Sequence, residues 1–121
     1  MNAKIHRADP SREFLTHEGC FILEMANDSG DPDVSIAQAR VRPGVTTEWH
    51  QVKDITERYV ITGGTGKVEL GDLPPTLVSE GDVVRIPANT PQRITNVGDE
   101  DLVFYAVCTP RFVQSAYVTG R

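Results

Sequence analysis

The chain has 121 residues, the size of one domain with a modest but sufficient hydrophobic core. Its net charge is −5 and no run of Lys or Arg exceeds a dipeptide, which argues against nucleic acid or an anionic membrane surface as the main partner. No apolar stretch is long enough to span a membrane, and the N-terminal residues lack the apolar centre of a signal peptide. We therefore expect a cytoplasmic protein.

The first third of the chain is predicted to contain an arm and two strands. Residues 1–13 are polar and form a flexible, loosely held arm, whereas residues 14–121 form a single domain. The first strand lies within Phe14–Ala26, and the second is Val34–Arg42. The segment 27–33 between them is rich in Asn, Asp, Ser, Gly and Pro, a composition typical of a loop.

Two cysteines, Cys20 and Cys108, lie in different apolar strand candidates. Disulfides are rare in a reducing compartment, and buried free cysteine packs like a small apolar residue. We therefore predict two buried free thiols instead of a disulfide.

The middle of the chain is predicted to bring an imidazole and a carboxylate together. Val45–His50 and Glu57–Thr62 are rich in β-branched and aromatic residues, and glycines follow the second segment. Residues two apart on a strand share a face, so Tyr59 faces inward whenever Glu57 does. Facing strands then place His50 and Glu57 on the same interior wall.

The second half of the chain continues as short strands separated by turns. No window keeps a helical period, and only Arg111–Val118 is predicted to form a short terminal helix. Many short strands with frequent turns are typical of a sandwich or barrel, so we predict an all-β fold with antiparallel strands. The five further predicted strands are Thr65–Leu70, Thr76–Ser79, Val83–Ile86, Gln92–Val97 and Asp101–Thr109.

Two spaced motifs follow one another in the middle and second half of the chain. The first consists of Gly44, His50, Glu57, Gly64 and Gly66, and the second of Gly81, Asp82, Pro87, Gln92 and Asn96. In order and spacing they resemble the two motifs of the cupin superfamily. The resemblance covers roughly residues 34–112 and implies a small single-domain cupin, whose fold is a jelly-roll, or double-stranded β-helix, barrel.

The resemblance also implies a metal site, but the chain departs from the family pattern. The family usually carries three histidines and one glutamate, and here Val52 and Gln92 stand in the places of the second and third histidines. The remaining set is His50, Glu57 and Gln92, which suits a divalent metal (Mn, Fe, Ni or Zn) without selecting among them. Asn89 also stands where the second motif commonly has glycine.

Several functions are consistent with the resemblance. It implies a small-molecule metabolite in the barrel, turned over by a metal-dependent enzyme of the dioxygenase, isomerase or lyase type, or held by a non-catalytic binding or sensor protein. Without a metal, His50 and Glu57 form an acid–base pair for proton transfer, with Tyr59 beside them to orient the ligand. A catalytically inactive barrel kept as a structural dimer is a further alternative.

The roles of the neighbouring polar groups also stay open. Glu48 shares a face with His50 and is either a further ligand or a solvated carboxylate at the barrel mouth. Gln92 either ligates through its amide oxygen or only orders the pocket. A buried Glu57 needs a metal, a proton or a cationic partner. The arginines that strand pairing can bring near it are Arg40, Arg85 and Arg93.

The expected assembly is a homodimer. Small cupins commonly pair through sheet faces or exchanged terminal strands, and the resemblance therefore implies a second copy as partner. The residues before Phe14 are suited to cross to that neighbour.

Overall fold

The computed structural model describes residues 1–121 as eleven strands and two single-turn 3-10 helices. The strands are β1 (Phe14–Leu15), β2 (Phe21–Ala26), β3 (Ser35–Val41), β4 (His50–Val52), β5 (Thr56–Gly63), β6 (Thr65–Leu70), β7 (Thr76–Ser79), β8 (Val83–Ile86), β9 (Gln92–Asn96), β10 (Leu102–Thr109) and β11 (Tyr117–Thr119). The 3-10 helices are Pro10–Arg12 and Gln114–Ala116. Neither is long or apolar enough to cross a membrane.

The strands pair antiparallel throughout and form two sheets. The order is β1-β2-β3-β10-β5-β8 in the six-stranded sheet and β11-β4-β9-β6-β7 in the five-stranded sheet. Strands that follow one another in the chain often lie in different sheets: β4 pairs with β9 and β11, whereas β5 pairs with β8 and β10. This crossing between sheets is the connectivity of a jelly roll. The all-β prediction and the double-stranded β-helix prediction are both confirmed.

Alternating burial along β5 defines the inward face of the barrel. Glu57, Tyr59 and Ile61 are buried, whereas the residues between them are partly exposed, and β9 shows the same alternation. Thirteen buried apolar residues form the main core between the sheets. Burying each large aliphatic side chain contributes roughly 1.5–3 kcal/mol. The largest apolar side chains that are fully buried are Val41, Ile61, Ile86, Ile94 and Leu102.

Two left-handed backbone positions shape the turns within the motifs. Gly64 has a φ of +81°, and a Cβ at this position would lie 2.6 Å from the carbonyl oxygen of Asp101, so the turn between β5 and β6 accepts only glycine. Asn89 has a φ of 65°, a conformation that asparagine adopts more easily than most residues. Its side-chain oxygen accepts a hydrogen bond from the backbone N–H of Asp54 (3.1 Å). Asparagine therefore fills the place of the usual glycine without loss of the loop.

The predicted terminal helix is wrong. Within Arg111–Val118, only Gln114–Ala116 forms a single 3-10 turn, and Tyr117–Thr119 is the edge strand β11. This strand pairs with His50–Val52 of β4. Its aromatic and β-branched residues favour an extended backbone, and pairing across the barrel decides their structure over any local helical tendency.

The strand predicted at Val45–His50 is shifted toward the C-terminus, because β4 covers His50–Val52. Before β4, the backbone N–H of Glu48 donates to the carbonyl of Glu18 at 2.9 Å. The connection between β1 and β2 therefore lies over this segment and takes the hydrogen bond that a neighbouring strand would have received.

The N-terminal arm contacts the barrel of its own chain through charged pairs. Lys4 lies 2.9 Å from Asp28, and Glu13 accepts two hydrogen bonds from Arg40 at 2.6 and 3.2 Å. Exposed or partly exposed ion pairs contribute little to stability. The loosely held arm and the domain boundary after residue 13 stay predictions.

Candidate functional site

A cavity of about 380 Å³ lies between the two sheets and borders the apolar core. Fourteen of its 23 lining residues are hydrophobic, and the exposed side chains of Phe14, Leu15 and His17 form its rim. Small-molecule pockets commonly measure roughly 300–1,000 Å³ and combine an apolar lining with a few polar groups. The cavity has this size and composition.

Glu57 projects from β5 into the cavity and is only 8% exposed. Its Oε1 accepts a hydrogen bond from Nε2 of Gln92 (2.8 Å), and its Oε2 lies 3.6 Å from the thiol of Cys108, which donates to it. Both partners are neutral. Burial raises the pKa of the Glu57 carboxyl, whereas the hydrogen bond from Gln92, and the charge of His50 when that ring is protonated, lower it. The carboxyl therefore keeps its proton to a higher pH than an exposed glutamate.

None of the three arginines considered as partners of Glu57 pairs with it. Arg40 pairs with Glu13 and Asp101, and Arg93 pairs with Glu69, whereas Arg85 makes no ion pair. The buried carboxyl is thus left without a cationic side chain of Lys or Arg.

Gln92 connects Glu57 to Tyr59. It is 1% exposed and does not line the cavity. The hydroxyl of Tyr59 donates to its Oε1 (2.5 Å), and its Nε2 donates to Glu57. Burial raises the pKa of Tyr59, so its hydroxyl stays a donor. The amide therefore orders the two neighbouring side chains and presents no free atom to the cavity.

His50 projects from β4 and is 5% exposed. The prediction that it shares one wall with Glu57 is wrong, because β4 and β5 belong to different sheets and the two side chains line opposite walls of the cavity. Its Nδ1–H donates to the carbonyl oxygen of Glu48 (2.8 Å), and its ring stacks on Tyr117 with centroids 4.7 Å apart and an interplanar angle of 16°. Nε2 has no hydrogen-bond partner in the chain. Every fully buried polar side-chain atom does have a partner, so Nε2 is not fully buried and is accessible from the cavity. Tyr117 was not foreseen, because its segment was predicted to be helical.

Glu48 lies at the rim and does not line the cavity. Its Oε2 accepts a hydrogen bond from the Tyr117 hydroxyl (2.8 Å) and lies 3.2 Å from Nε2 of His17. With 32% of its side chain exposed, Glu48 fits the solvated carboxylate of the two alternatives.

The region around β2 contributes more to the cavity than its sequence predicts. Glu18, Cys20, Ile22 and Glu24 all line it. Both cysteines are free and buried, as predicted, and the thiol of Cys20 donates to Oε1 of Glu18 at 3.0 Å. The period-two spacing from position 18 to 24 is the signal that identifies this face. His17, at the rim, has no comparable signal.

The donors around the cavity do not fit a metal centre. The amide oxygen of Gln92, which the sequence analysis assigned as a ligand, accepts the Tyr59 hydroxyl. No three side chains of His, Cys, Asp or Glu converge closely enough to hold an ion. His50 and Glu57 are the two predicted ligands that still face the cavity, fewer than the three protein ligands of a typical catalytic zinc site.

The fold and the cavity together define the class of this domain: a small double-stranded β-helix with an accessible interior. The family model described as "Cupin domain" matches residues 37–108. The chain therefore belongs to the cupin family. It is 30% identical over 106 residues to an uncharacterized protein of Methanocaldococcus jannaschii, with 86% of this chain and 84% of that protein covered.

Several differently named proteins have solved structures that superpose on this chain. KdgF from Halomonas sp. superposes with a TM-score of 0.80 at 17% identity, covering 94% of this chain and 99% of that one. A variant of Streptomyces PAC13, solved with uridine, gives a TM-score of 0.81 at 16% identity over 100% and 93%. Oxalate decarboxylase of Bacillus subtilis gives 0.77 at 21% identity, over 91% of this chain and 30% of its own. At these identities the likeness shows the fold alone.

Proposed function

We propose that this cupin binds a small organic molecule in its barrel and that Glu57 and His50 transfer protons to and from that molecule without a metal ion. The supporting observation is that a buried carboxyl with only neutral hydrogen-bond partners and an imidazole with a free Nε2 line one cavity. Two titratable groups held in different environments are the usual basis for separate acid and base roles.

Glu57 is the proposed acid. Burial raises its pKa, so it carries a proton under conditions in which an exposed glutamate has lost one. The proton on a carboxyl that lines the cavity can be given to a bound molecule. Positioned general acids and bases typically contribute about 10²–10⁴-fold to a rate.

His50 is the proposed base. Donation from Nδ1–H to the Glu48 carbonyl fixes the neutral tautomer in which Nε2 carries the lone pair. Stacking on Tyr117 restricts rotation of the ring. Gln92 and Tyr59 are positioning residues in this proposal. Gln92 donates to the carboxyl of Glu57, and Tyr59 donates to the amide oxygen of Gln92 and so fixes the orientation of the amide.

The metal-dependent alternative has weaker support in the donor set. It requires Gln92 to give up its hydrogen bond from Tyr59 and turn toward the cavity. Metal analysis of protein purified without a metal-affinity tag separates the two: substoichiometric Mn, Fe, Ni and Zn supports the proposal, and one tightly held ion per chain contradicts it.

Proton transfer is tested by exchange with solvent. A metabolite panel is first screened by thermal shift, and each ligand found is incubated with the protein in D₂O while its C–H signals are followed by proton NMR. We expect ligand C–H exchange that Glu57→Gln and His50→Gln each slow by about 100-fold or more. His6→Gln, at a histidine outside the cavity lining, is the matched control and should exchange at the parent rate.

Ligand binding with no exchange in the parent protein would refute the acid–base role and leave a binding or sensor protein. Failure of every panel member to bind would refute the binding function itself.

A further inference from the structure

The charges that line the cavity are one-sided. Three carboxyl side chains face it, those of Glu18, Glu24 and Glu57, of which Glu57 is the protonated and therefore neutral acid of the proposed function, and no lysine or arginine is among its 23 lining residues. Arg111 donates to the side-chain oxygen of Asn27 at 2.8 Å and does not line the cavity, but it lies near Glu24, whose pKa burial raises and the charge of Arg111 lowers. The basic groups in the lining are two histidines, and a carboxylate or phosphate ligand would therefore meet no fixed positive charge.

Glu18 is the carboxylate best placed to contact a ligand. It is on the segment between β1 and β2, and 14% of its side chain is exposed. One oxygen, Oε1, accepts the thiol of Cys20 at 3.0 Å. The other, Oε2, is 3.6 Å from Nδ1 of His50, whose proton is already donated to Glu48. Oε2 therefore keeps acceptor capacity for a group that enters from solvent.

A second, independent feature identifies the same space as a ligand site. His50 is nine-tenths buried and lines the cavity with an unpartnered Nε2. Because Nε2 is open to the cavity, a ligand or water that fills the cavity can give it a hydrogen-bond partner. The acidic side chains and Nε2 of His50 thus line the same cavity, and a ligand there can form a hydrogen bond with Nε2.

The rest of the lining suits an apolar body. The ring centroids of Phe104 and Tyr59 lie 4.3 Å apart in the cavity lining, and Phe112 and Tyr117 add aromatic surface. Aromatic faces attract organic cations, in addition to the apolar contact that they offer. Carboxylates and aromatic rings around one small cavity favour the same class of molecule.

We infer that the ligand of this cavity is a small organic ammonium ion with an apolar body, held at its charged end by Glu18. The inference rests on the proposed binding function and adds the class of ligand to it. It also implies that this cavity does not bind a dicarboxylate such as oxalate, the compound in the name of the Bacillus subtilis structural neighbour.

A matched set of probes tests the charge preference. Binding of 2-phenylethylamine, 2-phenylethanol and 3-phenylpropionate is measured by calorimetry at pH 7.5 and low ionic strength. We expect the amine to bind about tenfold or more tighter than the alcohol, with the carboxylate weakest, and added salt to reduce the advantage of the amine. Glu18→Gln should weaken amine binding about tenfold and leave alcohol binding unchanged.

The control removes one negative charge outside the cavity. Glu80 is exposed and does not line it, so Glu80→Gln should leave both affinities at the parent value. Binding of the carboxylate as tightly as the amine would refute the ligand class while the binding function stands. An amine affinity that is equal in the parent and Glu18→Gln would refute the role of Glu18. If none of the three probes binds, the ligand class is refuted, and the wider metabolite panel decides the binding function separately.

Discussion

Glu57 links the chemistry of the cavity to the stability of the fold. Burial raises its folded-state pKa above the ordinary value of 4.5. Between these two values the folded protein holds a proton that the unfolded chain releases, so the free energy of unfolding decreases as pH rises through this window. The side chain of Glu57→Gln is neutral at every pH, so the free energy of unfolding of this variant does not decrease for this reason as pH rises. We expect the variant to become increasingly stable relative to the parent as pH rises above 4.5, measured by urea unfolding at a series of pH values.

Glu69 provides a control of opposite sign. Its hydrogen bond from Arg93 lowers its pKa, so its contribution to stability is present above pH 4.5 and is lost as pH falls below that value. Glu69→Gln should therefore lose stability at neutral pH, and the loss should fade on acidification. Parallel pH profiles for Glu57→Gln and the parent would contradict the raised pKa of Glu57.

Tyr59 stabilises the site through a single hydrogen bond. In Tyr59→Phe the buried Oε1 of Gln92 loses its donor, and an unsatisfied buried acceptor costs about 1–3 kcal/mol. Tyr105→Phe is the matched control, because Tyr105 does not line the cavity and its hydroxyl makes no hydrogen bond in the chain. We expect Tyr105→Phe to change the free energy of unfolding by less than about 0.5 kcal/mol. Equal effects of the two substitutions would show that the contact with Gln92 contributes nothing.

At the level of elements, period-two alternation was enough to predict the inward face of β5. Glu57 and Tyr59 lie two apart on a strand with clear turn signals on either side, and the structure places both on the cavity. The direction of Gln92 could not be predicted in the same way. Its strand phase points inward, but the hydrogen bond with Tyr59 holds its amide behind the lining. Sequence gives the face of a residue and not its partners.

The elements at the cavity rim were harder to predict, because long-range contacts determine them. β11 is a three-residue strand whose pairing with β4 depends on a partner more than sixty residues earlier. The segment that carries His17 and Glu18 lies between β1 and β2, and the backbone hydrogen bond from Glu48 to Glu18 fixes it beside the residues that precede β4. Neither contact leaves a local pattern in the sequence.

β4 also offers a direct test of how the barrel relates to the family metal site. Val52 shares the inward face of β4 with His50, and both line the cavity. Val52→His adds an imidazole where the family carries its second histidine, so three ligands would face the cavity together with His50 and Glu57. We expect about tenfold or greater tightening of Zn²⁺ or Mn²⁺ binding over the parent, measured by calorimetry.

The control for this prediction is Val60→His. Val60 lies on β5 but does not line the cavity, so the new imidazole gains no second ligand. Val52 is 3% exposed, so a thermal melt must show that Val52→His remains folded. Equal metal affinity in a folded Val52→His variant and in Val60→His would contradict the predicted convergence of the three side chains.

For the whole molecule, the N-terminal segment carries the surface best suited to a second copy. Ile5, Phe14 and Leu15 are 74%, 50% and 62% exposed. Phe14 and Leu15 form β1, an edge strand of the six-stranded sheet whose outer side has no partner. Exposed edge strands with apolar side chains favour pairing between chains. The homodimer implied by the cupin resemblance is therefore predicted to form through this edge.

Light scattering at micromolar concentration should then give twice the chain mass of 13.3 kDa. Replacing Phe14 and Leu15 together by Ser should shift the mass toward that of one chain, because the apolar surface buried in the pairing is lost. Leu73→Ser, at a leucine that is 65% exposed on the turn after β6, is the matched control and should remain dimeric. A monomeric parent would refute the homodimer. A dimeric Phe14 and Leu15 variant would show that the copies pair through another face of the barrel.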